Sequence, residues 1–244
     1  MAESVVINEI YLSLQGESSW AGWPCVFVRL TGCNLRCSYC DTAYAFSEGR
    51  RVTLESVLER VAALAAPFSG SPGAQRLPIV ELTGGEPLLQ AGVLPLMTRL
   101  CDAAFTVLLE TSGALDIAAV DPRVHRIMDW KCPSSGEAGR NLPENLAALR
   151  PTDELKFVVG TETDYTWMKE VLARHELAGR CPVLVSWVAP LLPAQRHSTL
   201  KPVPAFDRAL SRSELAERLL ADALPVRFQV QLHKVIWSPD ARGV

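Results

Sequence analysis

The 244-residue sequence lacks the long apolar run that a membrane-spanning helix requires. No uninterrupted apolar stretch approaches the ~18 residues needed to cross a bilayer. The first residues, Met1–Glu9, do not combine a cationic region with an apolar one, as a signal peptide does. We therefore expect a cytoplasmic protein with no membrane partner.

The sequence also lacks a block of charge of either sign. Its 24 basic and 27 acidic residues are spread along the chain and leave a net charge of −3. Because binding to a nucleic-acid backbone depends on clustered Lys and Arg, we expect no nucleic-acid partner. Hydrophobic residues make up 48% of the chain, enough to bury a core without disulfides. We expect one domain over residues 1–244.

Cysteines are few and unevenly placed, which argues against a disulfide scaffold. The seven cysteines lie at positions 25, 33, 37, 40, 101, 132 and 181. Three of them fall within the segment Gly32–Asp41, and the other four are scattered. In a reducing compartment, clustered thiols indicate metal binding rather than cross-linking.

Apolar segments typical of strands alternate with helical segments along the chain. Most of the strand-like segments are nearly continuous apolar runs, as expected for parallel strands covered on both faces. They are Val5–Leu12, Cys25–Thr31, Pro78–Thr83, Phe105–Glu110, Val124–Trp130, Glu154–Val159, Val183–Val188 and Val226–Leu232. Residues 68–77 and 189–206 are predicted loops, and the second is long enough to indicate a function.

Amphipathic patterns predict the helices between these strands. Thr53 can cap the first, Leu94–Leu100 and Tyr165–Leu172 indicate two more, and Ser211 with Glu214 forms a capping box before the last. Strands alternating with helices predict an α/β fold with a mostly parallel sheet. Because the pairs are too few for a complete eightfold barrel, we predict a partial (β/α) barrel.

The spacing C-x3-C-x2-C of Cys33, Cys37 and Cys40 lets three thiolates converge on one iron–sulfur cluster. Four irons held by three protein thiolates leave one iron open to a ligand, so the spacing indicates chemistry rather than electron storage. Zinc would need a fourth ligand, and the nearest histidine is His125. A zinc site and accidental crowding of buried cysteines remain as alternatives.

This motif, following an apolar strand, resembles the signature of the radical S-adenosylmethionine (SAM) superfamily. The resemblance implies a 4Fe–4S cluster whose open iron chelates SAM, and reductive cleavage of SAM to a 5′-deoxyadenosyl radical. Tyr39 lies where the superfamily has an aromatic residue near the adenine. The segment Gly84-Gly85-Glu86-Pro87 resembles the one that binds the SAM amino group, with glycines that admit a close ligand. On its own it would be a turn.

Three further segments resemble strand ends that bind SAM. Glu110–Gly113 offers Ser112 for the ribose or carboxylate. Lys131–Ser135 offers Lys131 and Ser134, and Glu154–Lys156 offers Lys156. The resemblance implies that the two lysines neutralise the SAM carboxylate. A solvated lysine is the alternative for each.

The remaining segments are most similar to the 7-carboxy-7-deazaguanine synthase family, from the first strand to a closing strand near Trp237. The resemblance implies that 6-carboxy-5,6,7,8-tetrahydropterin is converted to 7-carboxy-7-deazaguanine with loss of ammonia. It also implies that Arg29 pairs with the substrate carboxylate and that Thr42 helps bind Mg²⁺, which prefers oxygen ligands. The other implied substrate-binding residues are Leu14, Gln15, Gly16, Glu17, Thr83, Gln231 and His233.

Each of these residues has a structural alternative. Gln15–Glu17 could be a surface turn, Arg29 a structural ion pair, Asp41-Thr42 a helix cap and His233 a partly buried structural histidine. Residues after Trp237 put in doubt any use of a terminal carboxylate for the pterin.

Two other functions are consistent with the cysteine motif. One is a glycyl-radical enzyme activating protein, and the other is a non-catalytic iron–sulfur or zinc-binding protein. For the synthase, the resemblance further implies a homodimer and a reductant such as flavodoxin.

Overall fold

A computed structural model describes residues 3–70, 77–204 and 207–244 of the chain. Nine strands in these ranges form one sheet. They are β1 (Ser4–Leu14), β2 (Pro24–Leu30), β3 (Arg50–Thr53), β4 (Ile79–Gly84), β5 (Val107–Thr111), β6 (His125–Asp129), β7 (Glu154–Val159), β8 (Val183–Trp187) and β9 (Arg227–Gln229). Residues 71–76 and 205–206 of the two predicted loops lie outside the described residues.

The sheet is open and mostly parallel, as predicted. Its strand order is β3-β1-β2-β4-β5-β6-β7-β8-β9. β1 runs antiparallel to β2 and β3, while every neighbouring pair from β2 to β9 is parallel. The two ends of the sheet do not pair, so the predicted partial barrel is confirmed. The short edge strand β3 was not predicted.

Six α-helices lie in the described ranges: α1 (Leu54–Ala65), α2 (Val93–Asp102), α3 (Pro143–Ala147), α4 (Glu162–Arg174), α5 (Arg212–Ala221) and α6 (His233–Ile236). The predicted caps are present. Thr53 accepts from the Ser56 N–H at the start of α1, and Ser211 with Glu214 forms a capping box before α5. The short helices α3 and α6 were not predicted.

Helices cover one face of the sheet, and the other face lines the interior of the partial barrel. α1 and α2 pack on β2, β4 and β5, and α4 and α5 pack on β7 and β8, in two apolar clusters. Because side chains alternate along a strand, a polar residue within an apolar run faces the interior. Glu81 and Lys156 do so in the middle of β4 and β7, and Glu110 and Asp129 do so at the carboxyl ends of β5 and β6.

The prediction of a closing strand through Leu232 is wrong. β9 ends at Gln229, Gln231 follows it, and His233 begins α6. Leu232 has helical backbone angles, and its N–H donates to the Gly16 carbonyl at 2.8 Å. This docking on the segment after β1 turns the chain away from the sheet. Among the described residues, no helix has the length and apolar character to cross a membrane.

Candidate active site

A cavity of about 580 Å³ lies at the carboxyl ends of the parallel strands, where α/β folds place their ligands. Fifteen predicted functional residues line it besides the three cysteines of the motif: Leu14, Gln15, Gly16, Glu17, Arg29, Tyr39, Thr42, Thr83, Gly84, Gly85, Ser112, Lys131, Lys156, Gln231 and His233. Residues 194–197 of the long loop and residues 238–244 of the tail also line it.

The cysteine loop is anchored to two neighbouring strand ends by backbone hydrogen bonds. The Gly85 N–H donates to the Leu30 carbonyl at 3.3 Å, and the Glu86 N–H donates to Gly32 at 2.8 Å. On the other side, the Ser38 N–H donates to Ser135 at 3.0 Å. The loop is therefore held between the end of β4 and the segment that follows β6.

Gly84 and Gly85 are required where β4 meets the cysteine loop. A Cβ on Gly84 would stand 2.2 Å from the Leu30 carbonyl oxygen, and its φ of +141° suits glycine. A Cβ on Gly85 would stand 2.2 Å from the Gly32 carbonyl oxygen and 2.7 Å from the Cys33 Cβ. The glycine pair thus permits close packing of chain on chain, a reason that the sequence prediction did not include.

The three motif cysteines fit an iron–sulfur cluster. They are free thiols on one cavity, and burial raises the pKa of each, to about 11 for Cys37 and about 12 for Cys40. The protein alone therefore keeps them protonated, and a bound metal would supply the charge that favours the thiolates. No three His, Cys, Asp or Glu side chains of the described residues could hold a single ion, but a four-iron cluster takes its thiolates on separate irons.

Lys156 and Lys131 already have carboxylate partners in the protein. The buried Lys156 ammonium contacts Glu17 at 3.0 Å, Glu110, and Asp129 at 3.5 Å. Burial acts to lower the pKa of Lys156, but these carboxylates outweigh it and hold the pKa well above its usual value. Lys131 pairs with Asp129 at 3.0 Å. A ligand carboxylate would therefore meet lysines that are charged but already paired.

Two buried polar atoms on the cavity have no partner among the described residues. They are Asp129 Oδ1 and the Tyr39 hydroxyl. Buried polar groups are nearly always hydrogen-bonded, so these atoms fit a site that a ligand completes. Sequence reasoning missed Asp129; its signal was the alternation of Asp129 and Lys131 at the end of β6.

Arg29 is both a structural ion pair and a cavity residue. Its Nε donates to Glu9 at 2.8 Å and its Nη2 donates to the Tyr11 hydroxyl at 2.9 Å, while the side chain still lines the cavity. These two partners orient the guanidinium. The two interpretations offered by the sequence are therefore compatible.

Gln15 is engaged within the protein. Its amide nitrogen donates to Glu81 Oε2, and its amide oxygen accepts from the Glu17 N–H at 3.0 Å. Its side chain is therefore not free to interact with a pterin through both groups. Glu81, which sequence reasoning missed, lines the cavity beside it.

The remaining substrate-side residues meet where α6 docks on the segment after β1. The Gln231 amide donates to Glu17 at 2.9 Å, and a Cβ on Gly16 would stand 2.2 Å from His233 Nδ1, which explains the glycine. Burial raises the pKa of Glu17, but Lys156, Gln231 and His233 together outweigh it and lower the pKa to about 2. Burial lowers the pKa of His233, which favours the neutral imidazole.

Glu86 and Ser134 lie outside the cavity lining, although both were predicted to bind SAM. The buried Glu86 carboxylate accepts hydrogen bonds from Thr111 and Ser112, and the Ser134 hydroxyl donates to Asp164 at 2.5 Å. Both side chains hold the ends of cavity-lining segments. The Thr42 hydroxyl donates to Asp41 at 3.0 Å and makes no capping bond to the short helix Ala43–Phe46.

A radical SAM domain matches residues 27–124, the stretch that holds the cysteine loop and the ends of β4 and β5. A 7-carboxy-7-deazaguanine synthase from Chlorobaculum tepidum is 46% identical, over 98% of this chain and 96% of the relative. One from Koribacter versatilis is 43% identical, over 98% and 99%. The chain belongs to the 7-carboxy-7-deazaguanine synthase family.

The fold agrees with solved structures. The crystal structure of QueE from Escherichia coli matches with a TM-score of 0.67 at 22% identity, covering 94% of this chain and 95% of that one. Family membership confirms the predicted radical SAM lyase and implies a 4Fe–4S cluster and SAM as its cofactors. It also removes the alternative of a non-catalytic iron–sulfur or zinc-binding protein.

Proposed function

We propose that this chain converts 6-carboxy-5,6,7,8-tetrahydropterin to 7-carboxy-7-deazaguanine and releases ammonia. The observation that carries the proposal is that the cysteine loop, the oriented Arg29 guanidinium and the His233 imidazole line one cavity. The relatives named 7-carboxy-7-deazaguanine synthase, which match nearly the whole chain, support the same reaction.

The residues divide into two groups by the ligand that they would bind. Cys33, Cys37 and Cys40 would hold the cluster, and Tyr39 and Asp129 offer unpaired polar atoms near it. When bound, the cluster and SAM would supply the means to abstract a hydrogen atom from C6 of the substrate and, through 5′-deoxyadenosine, to return one to the product.

The substrate carboxylate fits Arg29. A guanidinium binds a carboxylate through two parallel N–H groups, and Glu9 and Tyr11 hold this one in place. A pterin without the carboxylate would not form this pair of hydrogen bonds with Arg29 and should therefore bind less well.

Magnesium is part of the proposal through Thr42. Its hydroxyl and the Asp41 carboxylate offer oxygen atoms on the cavity lining, and Mg²⁺ is commonly bound through one or two carboxylates, waters and substrate oxygens. Burial raises the pKa of Asp41, but Lys234 at 2.5 Å outweighs it, so the carboxylate stays ionised. Full turnover in excess chelator would exclude the metal.

The test is anaerobic incubation of the reconstituted enzyme with SAM, a strong reductant, Mg²⁺ and 6-carboxytetrahydropterin. We expect the deazaguanine carboxylate by mass spectrometry and one ammonia per product. Omission of SAM is the control. Cleavage of SAM with an unchanged pterin, together with a radical signal on a glycyl-radical loop peptide, would support an activating enzyme instead.

Three properties remain predictions from the family resemblance. They are a flavodoxin-type reductant, a homodimeric assembly and a cytoplasmic location. The seven free cysteines are consistent with a reducing compartment.

A further inference from the structure

A carboxyl group is buried in the interior of the barrel, below the strand ends. Glu81 lies in the apolar run of β4, is 1% exposed, and pairs in register with Phe27 of β2 and Leu108 of β5. Burying a carboxyl group is unfavourable unless both of its oxygens are hydrogen-bonded. Its position on the cavity lining suggests that the cost serves ligand binding.

Gln15 satisfies only one of the two Glu81 oxygens. The Gln15 amide nitrogen donates to Oε2, and the Glu17 N–H keeps the amide in that orientation. Across residues 3–70, 77–204 and 207–244, Glu81 forms no ion pair, and no hydrogen bond reaches its Oε1. Nor is Oε1 among the unpaired atoms that are sealed from solvent. One oxygen is therefore left for a ligand in the cavity.

We propose that Glu81, oriented by Gln15, reads the pyrimidinone edge of the pterin by donating a hydrogen bond from Oε1 to a ring acceptor. This inference rests on the proposed function and assigns a substrate-binding residue to it. The chemical class of ligand is an aminopyrimidinone whose carbonyl oxygen or ring nitrogen can accept this bond.

Burial and the neighbouring carboxylates favour the protonated form of Glu81. Burial is the largest cause that raises its pKa well above the usual value, and Glu110 raises it further, whereas Lys156 acts against them. Because Oε2 accepts from Gln15, the proton belongs on Oε1. The titratable groups that face Glu81 from the packed elements are Tyr11, Glu17, Cys25, Glu110 and Lys156.

The test compares Glu81→Gln with Glu81→Leu in the reconstituted holoenzyme with SAM bound. The probe is 6-carboxypterin, a stable fluorescent analogue, and the readout is its Kd. The amide of Glu81→Gln can still donate, so the Kd of this variant should stay within about threefold of the wild-type value. The Kd of Glu81→Leu should rise by about tenfold, because the variant loses one hydrogen bond and leaves the pterin acceptor unpaired.

Glu154→Gln is the matched control. Glu154 is also a buried glutamate in a strand, and burial raises its pKa, but it does not line the cavity. Its substitution should leave the pterin Kd unchanged. The iron content per chain shows whether each variant still binds the cluster.

The pH dependence gives a second test that does not depend on how Glu81→Leu folds. Wild-type affinity should fall as pH rises through the raised Glu81 pKa, and Glu81→Gln should remove that fall. An equal loss of pterin affinity in Glu81→Gln and Glu81→Leu, or no loss of affinity in either variant, would overturn the inference. Failure of the wild type to bind or convert the pterin would instead count against the proposed function, and the inference would fall with it.

Discussion

At the residue scale, cluster binding should depend on three of the seven cysteines. Replacing Cys33, Cys37 or Cys40 by Ala should abolish it, because each contributes a thiol to the cavity. Reconstituted wild type should hold about four irons per chain, as one 4Fe–4S cluster requires. Cys101→Ala is the control, since Cys101 packs against the apolar cluster beneath α2. Iron loss in the control would contradict the assignment.

Arg29→Lys tests the carboxylate partner. The lysine keeps the charge but loses the planar fork, so the Kd of a carboxypterin should rise by about tenfold, as expected for loss of bidentate geometry. The matched control is Arg51→Lys on the exposed edge strand. An analogue without the carboxylate should bind wild type and Arg29→Lys almost equally. A tenfold difference for that analogue would show that Arg29 acts only on the fold.

Local motifs made the cofactor-binding residues predictable from the sequence. The polar contacts inside the barrel were not predictable in this way. The cysteines, Gly84, Gly85 and Ser112 stand in short motifs and line the cavity. Glu81 lies within an apolar strand pattern, and the Lys156–Glu17 pair joins residues 139 positions apart. Such contacts follow from strand order, which no local pattern reports.

At the scale of elements, the close contact between β4 and the cysteine loop should be sensitive to a single methyl group. Gly85→Ala would place a Cβ 2.2 Å from the Gly32 carbonyl oxygen, and such overpacking typically costs about 1–3 kcal/mol. We expect the loop to shift and the iron content to fall while the fold persists. Gly139→Ala is the control, because nothing lies within 4 Å of its Cβ position.

The measurement is iron per folded chain, with circular dichroism for the fold. Wild-type iron content in Gly85→Ala would mean that the loop has room to adjust. Loss of iron in Gly139→Ala would show that the assay reports general damage.

The strands and long helices followed from the sequence, but the end of the chain did not. Apolar alternation through Val230 and Leu232 predicted a strand, whereas β9 stops at Gln229 and a helical turn docks on Gly16. Over so few residues, the apolar pattern is compatible with either a strand or a helical turn. The tertiary contact decides, and it also determines the position of His233.

At the scale of the whole molecule, a buried ion cluster couples stability to acid pH. Burial raises the pKa of Asp153, but the Arg150 and Arg126 guanidinium groups outweigh it and lower the pKa from 3.8 to about 2. The stabilisation is therefore present above pH 3.8 and is lost as pH falls through the folded value. It amounts to about 2 kcal/mol.

Asp153→Asn should remove this acid dependence and destabilise the fold. It leaves the buried Arg126 without its carboxylate, which typically costs about 3–5 kcal/mol. Denaturant unfolding at a series of pH values measures both effects. An unchanged pH profile in the variant would assign the acid sensitivity to another group.

The proposed function requires radical chemistry at C6 of a carboxypterin in this cavity. The most direct measurement is turnover of 6-carboxytetrahydropterin carrying deuterium at C6, with SAM and reductant, followed by mass spectrometry of both SAM-derived products and pterin-derived products. We expect deazaguanine carboxylate, with the deuterium in 5′-deoxyadenosine or returned to the product. SAM cleavage without deuterium transfer, and with the pterin recovered intact, would contradict it.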